Sequence, residues 1–211
     1  MVNEYFKSYV DLFSRMTVNN DKKKFIDAIV AKINLGKARY QGLQAITGVP
    51  WFVIGLIHYM EANCDFTKHL HNGDPLSART IKYPAGYPRE GKPPFTFEQS
   101  AVSAIKKQNM HKVDDWSVPN ILLLLEQYNG MGYRDKTNIN SPYLWSFSNL
   151  YTKGKYVADN KYDPNAVSKQ AGAGVILKRV LEVNNLITVS VATGGSLIVA
   201  AAIFFLIFNA E

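Results

Sequence analysis

The chain has 211 residues, of which 47% are hydrophobic and 19% are charged, and its formal net charge is +7. This length suits one domain of ordinary size plus an appendage, and the composition excludes a mainly disordered chain. The single cysteine, Cys64, excludes an internal disulfide framework and a zinc site made of cysteines alone. The positive charge favours an anionic partner, but no basic run is interleaved with aromatic residues, so we expect no nucleic-acid binding.

Apolar residues recur at helical spacing through most of the first 183 residues, which predicts a mainly α (α+β) fold. We expect residues 1–49 to form helices that pack on the rest of a single domain, residues 1–183. Residues 1–15 carry charged side chains within their apolar pattern, which is not typical of a signal peptide. The first predicted helices are Tyr5 to Met16, Asp21 to Asn34, Ala38 to Ile46 and Trp51 to Asn63.

The chain changes character between Phe66 and Phe95, where prolines and glycines are dense. This composition predicts an irregular loop with a short hairpin. After the loop, Thr96 and Gln99 have the spacing of a helix capping box. The elements expected beyond it are a helix from Ser117 to Asn129 that ends at Gly130, a loop from Arg134 to Ser141, and a helix from Asp163-Pro164 to Val183.

The C-terminal segment has no charged residue from Asn184 to Ala210, and residues 186–208 are almost wholly apolar. A bilayer core about 30 Å thick needs roughly 20 such residues in a helix. We therefore predict that residues 184–211 are a membrane anchor with one transmembrane helix in the lipid bilayer. Self-association through this helix is a further expectation, because small residues recur at every fourth position: Ala192, Ser196 and Ala200.

Glu61 lies near the end of an otherwise apolar predicted helix, with Ile54, Ile57 and His58 on the same side. Burial among such neighbours raises the pKa of a carboxyl group, because it disfavours the charged form. A carboxylic acid that stays protonated near neutral pH can donate a proton to a leaving oxygen. The alternative is a solvent-exposed glutamate at a helix end that pairs with a nearby lysine.

Two segments and the loop between them resemble a known arrangement. His58-Tyr59-Met60-Glu61-Ala62 is followed by the loop rich in proline and glycine and then by Glu126-Gln127-Tyr128-Asn129-Gly130-Met131-Gly132-Tyr133-Arg134. The chain thereby resembles glycan-cleaving lysozyme-like enzymes. In those enzymes a helix ends in the catalytic glutamate, a small β-region lines the cleft, and a later helix carries a Tyr-Asn-Gly-like element.

The stretch from Trp51 to Arg179, about three fifths of the chain, is similar to bacterial and phage proteins of the lysozyme family. The similar runs correspond to His69-Leu70-His71-Asn72-Gly73-Asp74-Pro75-Leu76 and Ser141-Pro142-Tyr143-Leu144-Trp145-Ser146-Phe147-Ser148. The chain departs from the larger lytic transglycosylase families at Ala62, where serine is usual, and it has no clear Gly-Leu-Met-Gln segment.

This resemblance implies a lysozyme-like fold with a small irregular β-region. It also implies an enzyme that cleaves peptidoglycan glycan strands between N-acetylmuramic acid and N-acetylglucosamine. Glu61 would be the general acid that protonates the glycosidic oxygen. Tyr128 would hydrogen-bond to Glu61 or to the substrate, and Asn129 would hold an N-acetyl group or cap its helix.

Glycoside hydrolysis usually requires a second carboxylate. The candidates are Asp65 and Asp74, and we favour Asp74 because its loop is expected to border the cleft. Each has a local alternative, since Asp65 can cap nearby backbone and Asp74-Pro75 is a common turn. If neither serves, a lytic transglycosylase route remains, in which one glutamate acts as acid and then base. The 6-hydroxyl of the sugar then attacks and forms a 1,6-anhydro product.

The histidines and aromatic residues have less specific patterns. His69 and His71, with His58 or Asp74, could be read as a metal site, but no His-Glu-x-x-His spacing supports it, so we expect no metal and no cofactor. The histidines would hydrogen-bond within the loop or line the sugar cleft, and we place His71 at the cleft. Tyr143 is placed there too as a substrate-binding residue, with a core position as its alternative. Cys64 with His58 could be a nucleophilic pair, but a small core residue is the simpler interpretation. Trp116 and Trp145 have two interpretations, as sugar-stacking residues or as core residues.

The alternative to an enzyme is a catalytically inactive, wall-binding or structural membrane protein on the same fold. A metal-dependent amidase or peptidase is a third interpretation. Lys178 and Arg179 precede the predicted span and Glu211 follows it, so the positive-inside rule would hold the main domain in the cytoplasm, away from the wall. We therefore favour a phage protein in a virion with an internal membrane, used for cell-wall penetration or lysis. The bacterial envelope is the other location.

Overall fold

The structure, a computed structural model, describes residues 2–137, 139–158, 160–186, 188–189 and 199–200. The chain forms two compact units. We call residues 24–116 the inserted unit, because in sequence they separate the two parts of the other unit, residues 1–23 and 117–211, which we call the outer unit.

The described part of the chain is mainly helical, as the sequence predicts. In chain order the helices are α1 (Val2–Arg15), α2 (Lys23–Leu35), α3 (Lys37–Thr47), α4 (Trp51–Ala62), α5 (Phe97–Lys107), α6 (Val118–Asn129), α7 (Gly132–Lys136), α8 (Pro142–Trp145) and α9 (Ala173–Val183). Short 3₁₀ turns lie at Asn20–Lys22 and Met110–Lys112. The strands are β1 (Lys155–Ala158), β2 (Lys161–Asp163), β3 (Thr188–Val189) and β4 (Val199–Ala200), paired antiparallel as β1 with β2 and β3 with β4.

The first four predicted helices are confirmed to within a few residues at their ends. The capping box is also confirmed. The Thr96 side chain accepts the Gln99 N–H, and the Gln99 side chain accepts the Thr96 N–H. Gly130 follows α6 with a φ of 98° and a ψ of 142°, so its φ is positive but its conformation is not the left-handed helical one.

The predicted hairpin in the proline-rich loop is wrong. No strand is assigned between residues 63 and 95, all of which are described, and the only ladder pair there is the isolated bridge from Lys68 to Pro75. Prolines lack the N–H that a ladder needs. The hairpin of the described chain lies instead in the outer unit, where β1 and β2 meet at a turn that includes Asn160, whose φ is 57°.

The last predicted helix begins ten residues later than expected, at Ala173 rather than at Asp163-Pro164. The Asp163 carboxylate accepts the N–H groups of Asn165 and Ala166 and so forms a turn instead of a first helical turn. Gly172 then precedes the helix. A Cβ at this glycine would lie 2.3 Å from the Leu144 carbonyl oxygen, so only glycine fits there.

The predicted loop from Arg134 to Ser141 also differs, since its first residues belong to α7.

The predicted membrane span, residues 186–208, lies outside the described residues except for Leu186, β3 and β4. At β3 and β4 the backbone is extended rather than helical. By length and composition, no single helix within the described ranges could cross a membrane, although α3 and α4 together pass that test as a pair bent by 116°. The stripe of small residues predicted for self-association falls mostly outside the described residues.

In the inserted unit, α4 forms the centre of the core. All eight residues from Trp51 to His58 are buried. Gly55 permits close contact with the preceding helices, because a Cβ there would lie 2.7 Å from Ile33 Cγ2 and 3.0 Å from the Tyr40 ring. The only α4 residues that reach solvent are the three before the last, Tyr59, Met60 and Glu61.

The outer unit contains a buried polar cluster. Glu126 of α6 is 2% exposed and accepts hydrogen bonds from the Tyr9 hydroxyl of α1 and from Arg134 Nε of α7, the latter at 2.9 Å. Desolvation and the Glu126 carboxylate raise the pKa of Tyr9, which keeps the hydroxyl protonated and able to donate. The Arg134 guanidinium also lies 4.4 Å from the centre of the Tyr9 ring. The cluster therefore links three helices through one carboxylate.

We predict that Glu126→Ala lowers the free energy of unfolding by about 3 kcal/mol, because it leaves a partly buried arginine without its counter-charge. Urea unfolding followed by circular dichroism measures this change. Gln127→Ala is the matched control, since Gln127 is the exposed neighbour on the same helix. Equal stability of the two variants would contradict the structural role of the cluster.

Candidate active site

Glu61 lies in the last turn of α4, directly before the helix ends. Asn63 and Cys64 both adopt positive φ, 53° and 56°, which stops the helical path. Their N–H groups donate to the carbonyls of Tyr59 at 2.9 Å and His58 at 3.2 Å. The chain then turns back across the helix end, and this turn positions Glu61 at the edge of the inserted unit's core.

The Glu61 carboxyl group is partly buried, and burial raises its pKa to about 7. Among the described residues, no group hydrogen-bonds to this carboxyl or forms an ion pair with it. Desolvation is the only cause of its shifted pKa. The effect expected from its apolar neighbours is therefore present, and near neutral pH this group can both donate and accept a proton.

The proline-rich loop folds onto the end of α4 at Gly73. This residue has a φ of 74°, and a Cβ there would lie 2.5 Å from the Glu61 carbonyl oxygen. Any larger residue would push the loop away from the helix. The loop that carries His71 and Asp74 is thus brought against the backbone of Glu61.

Asp74 was predicted as the second carboxylate, but its surroundings give it a structural role in the loop. Its Oδ2 accepts the N–H groups of Ile81 at 2.8 Å and Lys82 at 3.0 Å, and the Asn72 amide at 3.3 Å. The Lys82 ammonium lies 3.7 Å from Oδ1. Desolvation acts to raise the pKa of Asp74, but these N–H groups and the ammonium outweigh it, and its pKa lies below the ordinary value.

Asp65, the other candidate, is also used locally. Its Oδ1 accepts the hydroxyl of Thr67 at 2.6 Å and the Thr67 N–H at 3.0 Å, and its Oδ2 lies 3.6 Å from the Lys68 ammonium. The two Thr67 hydrogen bonds are the main reason that the pKa of Asp65 is lowered. The backbone-capping alternative raised for Asp65 therefore agrees with its contacts.

Two of the histidines form a buried hydrogen-bond chain between the loop and α5. His69 Nε2 lies 2.8 Å from the Ala78 carbonyl, which can only accept, so this nitrogen carries the proton. His69 Nδ1 then accepts from Ser100 Oγ at 2.8 Å. Ser100 Oγ in turn accepts from His71 Nδ1 at 3.3 Å, and His71 Nε2 accepts from Ser103 Oγ at 3.2 Å.

His71 was predicted to contact substrate, but it is 3% exposed. Desolvation, with help from His69 and Lys107, lowers the pKa of His71 to about 4, so the ring is neutral at physiological pH. The buried, hydrogen-bonded ring agrees with the structural alternative given for the histidines, and its low exposure leaves little surface for direct contact with a substrate.

Cys64 and His58 are not arranged as a nucleophilic pair. His58 is fully buried between the Tyr40 hydroxyl, 2.8 Å from Nδ1, and the Asp65 carbonyl, 3.1 Å from Nε2. Burial lowers the pKa of His58 to about 4 and raises the pKa of Cys64 to about 11, so the thiol stays protonated. Within the described ranges, no group of three or more histidine, cysteine or acidic residues could hold a metal ion.

The remaining predicted site residues belong to the outer unit. Tyr128 is half-buried and Asn129 is exposed at the end of α6, and Tyr143 is half-buried in α8. Trp145 is 1% exposed, so it is a core residue rather than a sugar-stacking one, and Trp116 of the inserted unit is likewise buried. The structure thus groups Glu61, His71 and Asp74 in one unit and the other three site residues in the other.

Comparison of the chain with protein-family models, with curated proteins and with solved structures finds no match. The resemblance to lysozyme-like enzymes therefore stays a prediction that depends on the sequence runs given above.

Glu61 predicts a specific dependence of stability on pH. Its folded pKa of about 7 lies above the ordinary value of 4.5, so its contribution to stability is complete below pH 4.5 and is lost as the pH rises to 7. Relative to Glu61→Gln, the wild type should lose up to roughly 3 kcal/mol over this range and little above it. Chemical unfolding at stepped pH measures the difference, with the exposed Glu90→Gln as control. If the stability difference between the wild type and Glu61→Gln does not change with pH, the Glu61 carboxyl group is solvated.

For Asp74 the loop role and the catalytic role predict different results. Asp74→Ala should lower the free energy of unfolding by about 2 kcal/mol, since two backbone N–H groups lose their acceptor. Asp114→Ala, which removes an exposed aspartate, should have little effect. The melting temperatures of both variants, measured by differential scanning fluorimetry, test this prediction. If the Asp74→Ala protein is as stable as the wild type, the structural role of Asp74 is contradicted and Asp74 remains a candidate for the second catalytic carboxylate.

Proposed function

We propose that the chain is a peptidoglycan-degrading glycosidase in which Glu61 is the general acid. The observation that carries the proposal is a carboxyl group at a helix end whose pKa is raised to about 7 by burial alone. A catalytic acid works best when its pKa lies near the working pH. The sequence runs that resemble the lysozyme family supply the substrate class, the glycan strand of the bacterial wall.

In this mechanism protonated Glu61 donates its proton to the glycosidic oxygen between N-acetylmuramic acid and N-acetylglucosamine. The bond from C1 of the muramic acid to that oxygen breaks, and N-acetylglucosamine leaves with a free 4-hydroxyl group. The Glu61 carboxylate then accepts the proton of the muramic acid 6-hydroxyl while that oxygen attacks C1. The product has a 1,6-anhydro end, and Glu61 is protonated again.

We favour this single-carboxylate route over hydrolysis for a structural reason. A second carboxylate in a hydrolase must be available either to attack C1 or to activate water. Asp65 and Asp74, the two candidates in the inserted unit, each accept several local hydrogen bonds that engage their oxygens. The intramolecular route needs neither of them, because the substrate supplies its own nucleophile.

The remaining parts of the proposal come from the sequence. Tyr128, Asn129 and Tyr143 would bind the glycan, as the resemblance implies. Residues 186–208 would hold the enzyme in a lipid bilayer. The location we propose is the internal membrane of a phage virion, where the enzyme would reach the wall during entry.

The test of the proposal is the release of soluble muropeptides from purified sacculi by the full chain in mild detergent. Glu61→Gln should lower the release rate by about 10²- to 10⁴-fold, because the amide cannot transfer the proton. The wild-type rate should fall as the pH rises above 7, where Glu61 loses its proton. Asp114→Asn, which neutralises an exposed carboxylate outside the proposed site, serves as the control.

A folded Glu61→Gln protein that releases muropeptides at the wild-type rate would contradict the proposed role of Glu61. If neither protein releases any, the catalytically inactive, wall-binding interpretation replaces the enzyme.

A further inference from the structure

A groove of about 720 Å³ lies in the inserted unit between the end of the proline-rich loop and α5. The loop contributes residues 87–91, and the helix contributes one face that includes Glu98, Ser103 and Lys107. A groove of this volume suits a small ligand or a short peptide. None of the steps proposed for Glu61 uses it.

The groove has an excess of positive charge. Arg89, Lys106 and Lys107 line it, and in the part of the chain that the structure describes none of them pairs with a carboxylate. Glu98 also lines the groove, but it is paired with Arg39 at 2.7 Å, so its charge is largely neutralised. The groove therefore has three positive side chains and one unneutralised carboxylate, Glu90. This excess of positive charge attracts carboxylates or phosphates.

Two of the three cations, Arg89 and Lys107, lie near the Tyr87 ring. The Arg89 guanidinium lies 4.8 Å from the ring centre, and the Lys107 ammonium lies 5.8 Å from it and 5.6 Å from the ring of Tyr83. On the loop side, the His71 ring lies 5.3 Å from Tyr87. Because the serine–histidine chain fixes His71, the aromatic base of the groove is ordered before any ligand arrives.

The groove is connected to the helix end that carries Glu61 through residues of the proline-rich loop. Ser103 lines the groove and hydrogen-bonds to His71. Two residues after His71, the same loop places Gly73 against the Glu61 carbonyl oxygen. A ligand in the groove would therefore be bound by the loop that also packs on the helix end carrying Glu61.

We propose that this groove binds the stem peptide of peptidoglycan, a short peptide that carries carboxylates and a free amine. The proposal rests on the proposed function, because a wall-cleaving enzyme meets this peptide on alternate sugars of its substrate. Arg89 and the two lysines would bind the carboxylates, since guanidinium and ammonium groups are strong donors to them. Glu90 would accept the amine. A nucleic acid fits less well, because its regular phosphates would meet the Glu90 carboxylate.

The test measures binding rather than catalysis. The probe is the stem tetrapeptide freed from sacculi by an amidase, titrated calorimetrically into the full chain in detergent. We expect that amidating the carboxylates of the peptide weakens its binding by roughly tenfold or more, equivalent to about 1.4 kcal/mol. The variant Arg89→Gln/Lys106→Gln/Lys107→Gln should lose binding to the same extent. The control variant Lys23→Gln/Lys24→Gln/Lys112→Gln removes the same charge from exposed lysines elsewhere and should bind normally.

The outcomes separate this inference from the proposed function. Wall cleavage that depends on Glu61, without any binding of the peptide, would overturn the groove assignment and leave the proposed function intact. Binding of the peptide by a chain that cleaves no wall would support the groove and overturn the proposed function. An equal loss of binding in both triple variants would show unspecific charge attraction and overturn the assignment. Tighter binding of an oligothymidylate, in competition with the peptide, would also overturn it.

Discussion

Burial of α4 is the constraint on which the inserted unit depends. The first eight residues of the helix present apolar side chains on every side, so they are stable only when buried in a core. Gly55 permits the close helix contacts from which this core is built. The helix ends where Asn63 and Cys64 take positive φ, one turn beyond that core. Glu61 therefore lies where apolar packing gives way to solvent. Its raised pKa is a consequence of this position and requires no charged neighbour.

The proline-rich loop depends on a different kind of interaction. Polar groups within it are satisfied by a few buried acceptors and donors, chiefly Asp74 and the two histidines of the serine–histidine chain. This network links the loop to α5 without any β-sheet, and Gly73 packs separately against the end of α4. The predicted site residues Asp74 and His71 belong to this network. The Asp74 carboxylate bonds within the loop, and the His71 ring bonds to serines of α5.

Local sequence signals predicted the features that depend on neighbouring residues. The capping box at Thr96 and the apolar helix before Glu61 are of this kind, since both follow from residues a few positions apart. Features set by distant residues were missed. Glu126 accepts a hydrogen bond from Tyr9, which is 117 residues away in the chain, and no local sequence pattern predicts that contact. The late start of α9 likewise depends on a close approach between Gly172 and the Leu144 carbonyl, which only the folded chain reveals.

The proposed cleavage by Glu61 without a second carboxylate differs from hydrolysis in the chemical form of the product ends. The full chain would be incubated with purified sacculi, and the released muropeptides would be identified by mass spectrometry. If Glu61 acts without a second carboxylate, we expect 1,6-anhydro ends, which are lighter by one water than the products of hydrolysis. Reducing N-acetylmuramic acid ends would contradict this mechanism, because they require a water that a second group activates or that resolves a covalent intermediate.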